Sequence, residues 1–266
     1  MAVSFAKSMM APFSRTLEEG RPSKLLVALE GRAVLEWLSV PWALPLLNHY
    51  VPRGDGHAVL VLPGLLAGDG STAPLRRFLR LKGYDAHGWE QGRNFGPRPG
   101  VRAQAEAQLD RLHRESGRKV SLIGWSLGGI FAREIARAFP DQVRQVITLG
   151  SPLYGDPAQT NAWDVYRIVS DSDTEDRRGD EAPPVPTTSI YSRGDSVVGW
   201  GCSVERSGPM TDNIEINSAT HMGLGANPLV WYAVGDRLAQ AENHWQHFDA
   251  SGLRRVLFPF RAPERH

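Results

Sequence analysis

The sequence predicts an α/β protein, a mostly parallel sheet of about six strands with helices on both faces. Three observations carry this prediction. Six short strand candidates alternate with helix-patterned stretches, the arrangement that buries a sheet between two layers of helices. No tight hairpin signal joins one run to the next. Finally, Ser126, Asp195 and His221 each fall just after a run, at the strand ends where open parallel sheets place their chemistry.

Taken in order, residues 23–38 carry Leu25, Leu29, Leu35 and Leu38 on a roughly helical pattern interrupted by Gly31, which predicts an amino-terminal helix packed on the body. Residues 37–52 lack charge and contain Pro41, Pro45 and Pro52. The stretch is shorter than a membrane-spanning helix requires and reads as a buried connection, although its aromatic and leucine content leaves a surface-membrane role open. "AVLVLPG" is a strand running into a turn, and "STAPLRRFLRLKG" a helix that Ser71 or Thr72 is able to cap and Gly83 closes. "YDAHGW" gives a short strand. The following helix sets Val101, Ala105, Leu109 and Leu112 on one face. "VSLIGWSLGG" and "VRQVITLGSP" supply the third and fourth strands. "TTSIYSRGD" and "NIEINSATH" supply the last two, and residues 227–241 a final helix.

The chain of 266 residues is long enough for a large core, and it is read as a single domain over residues 1–266. Thirty basic and twenty-nine acidic residues leave a formal charge of +1, so no nucleic-acid partner is expected. One cysteine, Cys202, excludes an internal disulfide, and no Cys/His cluster has zinc spacing. The amino terminus lacks a secretory pattern, so a cytoplasmic location and no membrane span are expected.

The stretch 120–129 concentrates the chemistry. Ser126 lies between Gly124 and Gly128, after a buried-strand run and before Ile130, Phe131, Ile135 and Phe139 at helical spacing. That is the context of a nucleophile elbow, in which a sharp strand-to-helix turn presents one hydroxyl. A serine hydroxyl needs a base, and an imidazole base needs a carboxylate to orient it. The chain order Ser, acid, His that accompanies such elbows sets aside His49, His57, His87 and His113. His244 and His247 lie at or beyond the end of the last helix. His221, after the sixth run and before the glycine-containing "MGLGANP", is the expected base. Asp195 is the expected acid, with Asp212 as its rival. Asp171, Asp173, Asp176 and Asp180 sit in a run that reads as solvated. An oxyanion requires two backbone donors: Leu127 N–H after the nucleophile, and an N–H of the loop "PGLL", with Leu65 ahead of Leu66.

The set "LPGLLAGDGSTAPLRRFLRLKGYDAHGW", "GWSLGG", "VITLGSP", "YSRGDSVVGW" and "THMGLGANP" resembles bacterial α/β-hydrolase-fold esterases and lipases with a Pro-Gly oxyanion loop. The resemblance runs from about residue 59 to 241. It implies the α/β-hydrolase fold and a triad of Ser126, Asp195 and His221. Pro63-Gly64 stands where many of these hydrolases carry His-Gly, which keeps the backbone donor but removes one side chain.

The expected activity is serine carboxylic-ester hydrolysis through an acyl-enzyme, on small-molecule esters of short to medium chain, with no metal or organic cofactor. A lipase or acyltransferase using the same triad is the alternative, and a non-catalytic binding member of the fold is a third reading. Leu65, Leu66, Trp125, Trp200, Met222 and Leu224 adjoin the three positions and are expected to line the substrate pocket. Residues 153–186, a long connection between the fourth and fifth runs, are expected to form a small cap. Trp163, Tyr166 and Val169 would turn inward there, as a fixed wall rather than an opening lid.

Overall fold

Four of the six runs become strands buried along their whole length, because parallel neighbours need crossover helices and these cover the sheet on each side, while the two edge strands are partly exposed. The structure, a computed structural model, describes residues 30–154, 182–217, 219–252 and 254–258. Its strands are β1 Ala58–Leu62, β2 Asp85–Gly88, β3 Val120–Trp125, β4 Val143–Leu149, β5 Thr187–Tyr191 and β6 Thr211–Glu215. They form one sheet in the order β2-β1-β3-β4-β5-β6, and every neighbouring pair is parallel. The helices are α1 Ala33–Tyr50, α2 Asp69–Leu81, α3 Val101–Ser116, α4 Leu127–Ala138, α5 Pro228–Leu238 and the short α6 Arg254–Leu257.

Alternate side chains of a strand point to opposite faces, and this divides the core in two. Val59, Val61, Ile123, Ile147 and Ile190 pack with α1, α2 and α5, where Phe78 stacks on Trp231 with ring centroids 5.0 Å apart. Leu60, Leu62, Leu122 and Val146 face the other way and pack with α3 and α4. Each fully buried aliphatic side chain contributes roughly 1.5–3 kcal/mol. The strand order reverses direction at β1 and β3. The carboxyl ends of strands at such a reversal are the usual ligand position in open parallel sheets.

The region before β1 differs from expectation. A 3₁₀ turn over Glu30–Arg32 leads into α1, which runs through Pro41 and Pro45 to Tyr50, so residues 37–50 are helix and not a buried connection. Both prolines sit on the exposed side, where water can satisfy the carbonyls they leave without an N–H donor. Ala33, Val40 and Leu47 are the buried positions. Leu35 and Leu38 face solvent, and Trp42 is 85% exposed. A groove of about 350 Å³ between α1 and α2 is lined by Pro41, Leu44, Pro45, Asn48, Phe78 and Leu81. Among the described residues no helix is long and apolar enough to cross a membrane.

Two smaller differences concern boundaries. Helix α2 begins at Asp69 after Gly68, so Ser71 and Thr72 lie in its first turn and do not cap it. The Asp69 carboxylate instead accepts from the Trp89 and Glu90 N–H groups. Asp212 lies inside β6 and not before it. Most of the expected cap, including Trp163, Tyr166 and Val169, lies outside the described residues.

Candidate active site

Strand β3 ends at Trp125, and the chain turns into α4 through Ser126, whose backbone sits at φ 53° and ψ −121°. For a non-glycine residue this region costs about 1–3 kcal/mol and persists only where the surroundings impose it. The surroundings here are tight packing. A Cβ on Gly124 would lie 2.3 Å from the Gly128 carbonyl oxygen, and one on Gly128 would lie 2.3 Å from the Leu62 carbonyl oxygen. Strand and helix can close around the turn only because both positions lack side chains. The Ser126 N–H donates to the Leu149 carbonyl at 2.8 Å, which ties the elbow to β4.

The loop after β1 lies against it. The Cβ position of Gly64 is 3.2 Å from Ser126 Cβ and 3.9 Å from its Oγ. Leu66 N–H is spent on the Asn94 carbonyl at 2.7 Å, whereas the N–H groups of Leu65 and Leu127 form no hydrogen bond among the described residues. Leu127 opens a helix of twelve residues, so its N–H also carries the positive end of the helix dipole. Asn94 holds the loop from several sides. It accepts from Leu66 N–H, donates its backbone N–H to Ala67 O, and donates Nδ2–H to Pro63 O at 2.8 Å. Sequence reasoning did not single out Asn94; its only signal is a polar residue in the glycine-rich "GRNFGP" after β2.

Asp195, after β5, is fixed by the Val197 and Val198 N–H groups, both 2.8 Å from Oδ1. Its Oδ2 is 2.7 Å from His221 Nδ1. A carboxylate only accepts, so Nδ1 carries the proton and Nε2 keeps its lone pair. Burial disfavours the imidazolium, but the Asp195 charge, the hydrogen bond from it and the Glu30 charge together outweigh burial and raise the His221 pKa above its ordinary value. Gly150, at φ 52°, passes beneath this pair; a Cβ there would stand 2.9 Å from Asp195 Oδ2. Ser126 Oγ and His221 are not hydrogen-bonded to each other, a common condition in sites without substrate. The rival acid, Asp212, is engaged elsewhere, with Arg237 at 3.4 Å and the Phe248 N–H.

Of the residues expected to line a pocket, Leu66 and Met222 are on the surface, 41% and 51% exposed. Trp125 and Leu224 belong to the core. The Trp125 indole N–H donates to the His221 carbonyl at 3.2 Å. Trp200 stacks on Tyr191 beneath the Arg193 guanidinium, which lies 3.7 Å from its ring centroid. Trp163 lies outside the described residues. Among the described residues no three His, Cys, Asp or Glu side chains come together as a metal-binding group.

Comparison with known proteins places this geometry in context. Residues 106–200 match the family model of the PGAP1-like alpha/beta domain, a stretch that includes Ser126 and Asp195. Serine hydrolase BPHL of Mus musculus is 32% identical over 134 residues, which cover 46% of this chain and 45% of that one. Homoserine O-acetyltransferase of Thermus thermophilus is 33% identical over 115 residues, 43% of this chain and 28% of that one. The chain thus spans less than half the length of these curated relatives. Among solved structures, Aspergillus fumigatus lipase B aligns with a TM-score of 0.60 at 18% identity, covering 79% of this chain and 58% of that one. The six-stranded parallel sheet and these likenesses establish the α/β-hydrolase fold.

Proposed function

We propose that this protein is a serine carboxylic-ester hydrolase working through an acyl-enzyme on short- to medium-chain esters. The observation that carries the proposal is the strained Ser126 at the carboxyl end of β3 together with the Asp195–His221 pair at 2.7 Å. His221 Nε2 takes the Ser126 proton as Oγ bonds to the ester carbonyl carbon. The N–H groups of Leu65 and Leu127 hold the resulting oxyanion. The imidazolium then gives its proton to the leaving alkoxide, and the C–O bond to the alcohol breaks. In the second half His221 deprotonates a water that attacks the acyl carbon. The acid departs and Ser126 recovers its proton. Asp195 keeps the ring in its Nδ1–H form throughout. The half-exposed Leu66 and Met222 favour an apolar acyl or alkyl group, and the chain is proposed to work as one domain with residues 153–186 as a fixed wall.

An activated serine is tested by a fluorophosphonate probe followed by p-nitrophenyl esters of increasing acyl length. The wild-type protein should label and the Ser126→Ala variant should not. The ascending limb of kcat/KM should have its midpoint above pH ~6.5, because the His221 pKa is raised and only neutral imidazole acts as base. A folded wild-type protein that neither labels nor hydrolyses any ester in the panel would overturn the proposal and favour a binding role. The likeness to homoserine O-acetyltransferase supports a second reading, acyl transfer to an alcohol. It predicts that an added alcohol acceptor captures most of the acyl group in competition with water.

A further inference from the structure

The turn that carries His221 has no regular element of its own. It follows β6, and the chain does not re-enter a helix until Pro228. Three successive backbone donors in this turn point at carboxylates from the start of α1 and the 3₁₀ turn before it. Thr220 N–H donates to Glu36 Oε1 at 2.9 Å, His221 N–H to Glu30 Oε1 at 2.9 Å and Met222 N–H to Glu30 Oε2 at 3.2 Å. Glu36 Oε1 also accepts from Thr220 Oγ1 at 2.8 Å, and its Oε2 from Asn227 Nδ2 at 2.8 Å. The Trp37 indole N–H donates to Met222 O at 3.0 Å. Glu30 reaches the other partner loop too, since Ser196 Oγ, next to Asp195, donates to its Oε1 at 2.7 Å. One carboxylate therefore binds both the loop that holds the acid and the turn that holds the imidazole.

We propose that Glu30 and Glu36 are positioning residues that hold the turn around His221 and so set where its imidazole stands against Ser126 and Asp195. The inference rests on the proposed hydrolase reading. Two features separate it from ordinary turn packing. The turn lies on the carboxylates with no clearance: a Cβ at Gly223 would stand 2.3 Å from Glu36 Cδ. The second feature is charge. Among the described residues, the charged groups facing the ring are Asp195 from the loop after β5, Glu30 from the turn before α1 and, through Thr220, Glu36. Arg193, on the Asp195 loop, is turned away to Glu215 at 2.9 Å. Glu30 thus stands as a second anion beside an imidazole that becomes cationic when it takes the serine proton. Its charge favours the protonated ring, in keeping with the raised His221 pKa.

The test compares Glu30→Gln, Glu30→Ala and Glu36→Gln with wild type in two measurements. One is the pH profile of ester turnover. The other is the imidazole titration of His221 by NMR with ¹⁵N-labelled histidine, assigned with His221→Gln. Glu30→Ala should lower kcat about 10- to 100-fold with little change in KM, the size of effect expected when a reacting group is displaced by about an ångström. Glu30→Gln keeps an acceptor and should fold even where the alanine variant does not. It should lower the His221 pKa and move the ascending limb of kcat/KM down with it. Glu36→Gln should reduce kcat less and leave the titration in place. An unshifted His221 titration and unchanged kcat in Glu30→Gln would overturn the inference. The NMR measurement needs no turnover, so failure of the hydrolase reading, seen as absent labelling and hydrolysis in wild type, is told apart from failure of the positioning role.

Discussion

Two sets of serine, histidine and aspartate are hydrogen-bonded or gathered at opposite ends of β3, and their contrast shows what residue types alone leave out. At the carboxyl end stand Ser126, His221 and Asp195. Toward the amino end, Ser121 Oγ is 2.8 Å from His57 Nε2, and His57 Nδ1 is 2.5 Å from Asp55 Oδ1. By hydrogen-bond geometry the second set is the more complete. Yet Ser121 and His57 are fully buried, so no substrate can reach the hydroxyl. Ser121 also lies within β3, with no positive φ at it and no helix starting after it. Its surroundings are cationic: Arg144 and Arg118 both reach Asp55 Oδ2, at 2.9 and 2.5 Å. The first set has a hydroxyl on a strained elbow, the Leu65 and Leu127 N–H groups without a hydrogen bond among the described residues, and carboxylates around the imidazole. A triad works through accessibility and a place for the oxyanion, and the proposed function rests on the first set because Ser126, unlike Ser121, is not fully buried.

The sharpest way to break this contrast is to remove each serine. Ser126→Ala should cost about 10⁴–10⁶ in kcat and leave the fold intact. Ser121→Ala should leave kcat within about twofold and cost roughly 1–3 kcal/mol of stability, because it strands a buried imidazole nitrogen. Activity assays and denaturant unfolding on both variants decide it; comparable activity losses in the two would erase the distinction.

The two acids should separate next. Asp195→Asn should lower kcat by about 10⁴, since an amide permits the wrong imidazole tautomer. Asp55→Asn should leave turnover alone and change acid resistance instead. Burial raises the Asp55 pKa, but hydrogen bonds with His57 and Arg144 outweigh it and hold the group well below the usual carboxylate range. Its contribution to stability is therefore present above its ordinary pKa of about 3.9 and lost as pH falls below that. Unfolding followed from pH 5 downward should show a shallower decline in Asp55→Asn than in wild type.

The smallest effect distinguishes the histidines by sign. Burial lowers the His57 pKa; the Asp55 bond opposes this, and Arg144 and Arg118 add to the lowering. Its stabilising contribution is present above about pH 6.5 and lost as pH falls through that value towards the lower folded pKa. His221 is raised, so its contribution is complete below about pH 6.5 and lost as pH rises through the higher folded pKa. Melting temperatures across this range should keep their acid-side decline in His221→Gln but lose their decline on the neutral side. An unchanged neutral-side decline would show that His221 does not carry it.

The strands and the elbow were legible in the sequence because both depend on neighbours in the chain. Apolar runs mark buried parallel strands, and glycines flank Ser126 where strand and helix must nearly touch. Chain order also pointed to Asp195 and His221, which the fold brings within hydrogen-bonding distance. What was not legible depends on distant partners. Pro41 and Pro45 suggested a break, yet α1 tolerates them because water reaches its exposed side. Trp125 and Leu224 adjoin the site in sequence but point into the core. Glu30, Glu36 and Asn94 carry no motif, and their contacts with the site cross large stretches of chain. The Ser121–His57 pair, 64 positions apart, was hidden for the same reason.

The grip of α1 on the His221 turn also bears on the order in which the molecule is built. Glu30 and His221 are separated by 191 positions, and Glu36 and Thr220 by 184. During synthesis the first of these partners waits until all six strands have been made before it meets the second. The entropy of closing so long a loop is recovered only after the intervening strands have already drawn its ends together. The sheet can thus reach its native arrangement while the His221 turn is still unheld. A chain ending before Thr220 would hold all six strands and α1 yet lack the contacts of Glu30 and Glu36 with the His221 turn.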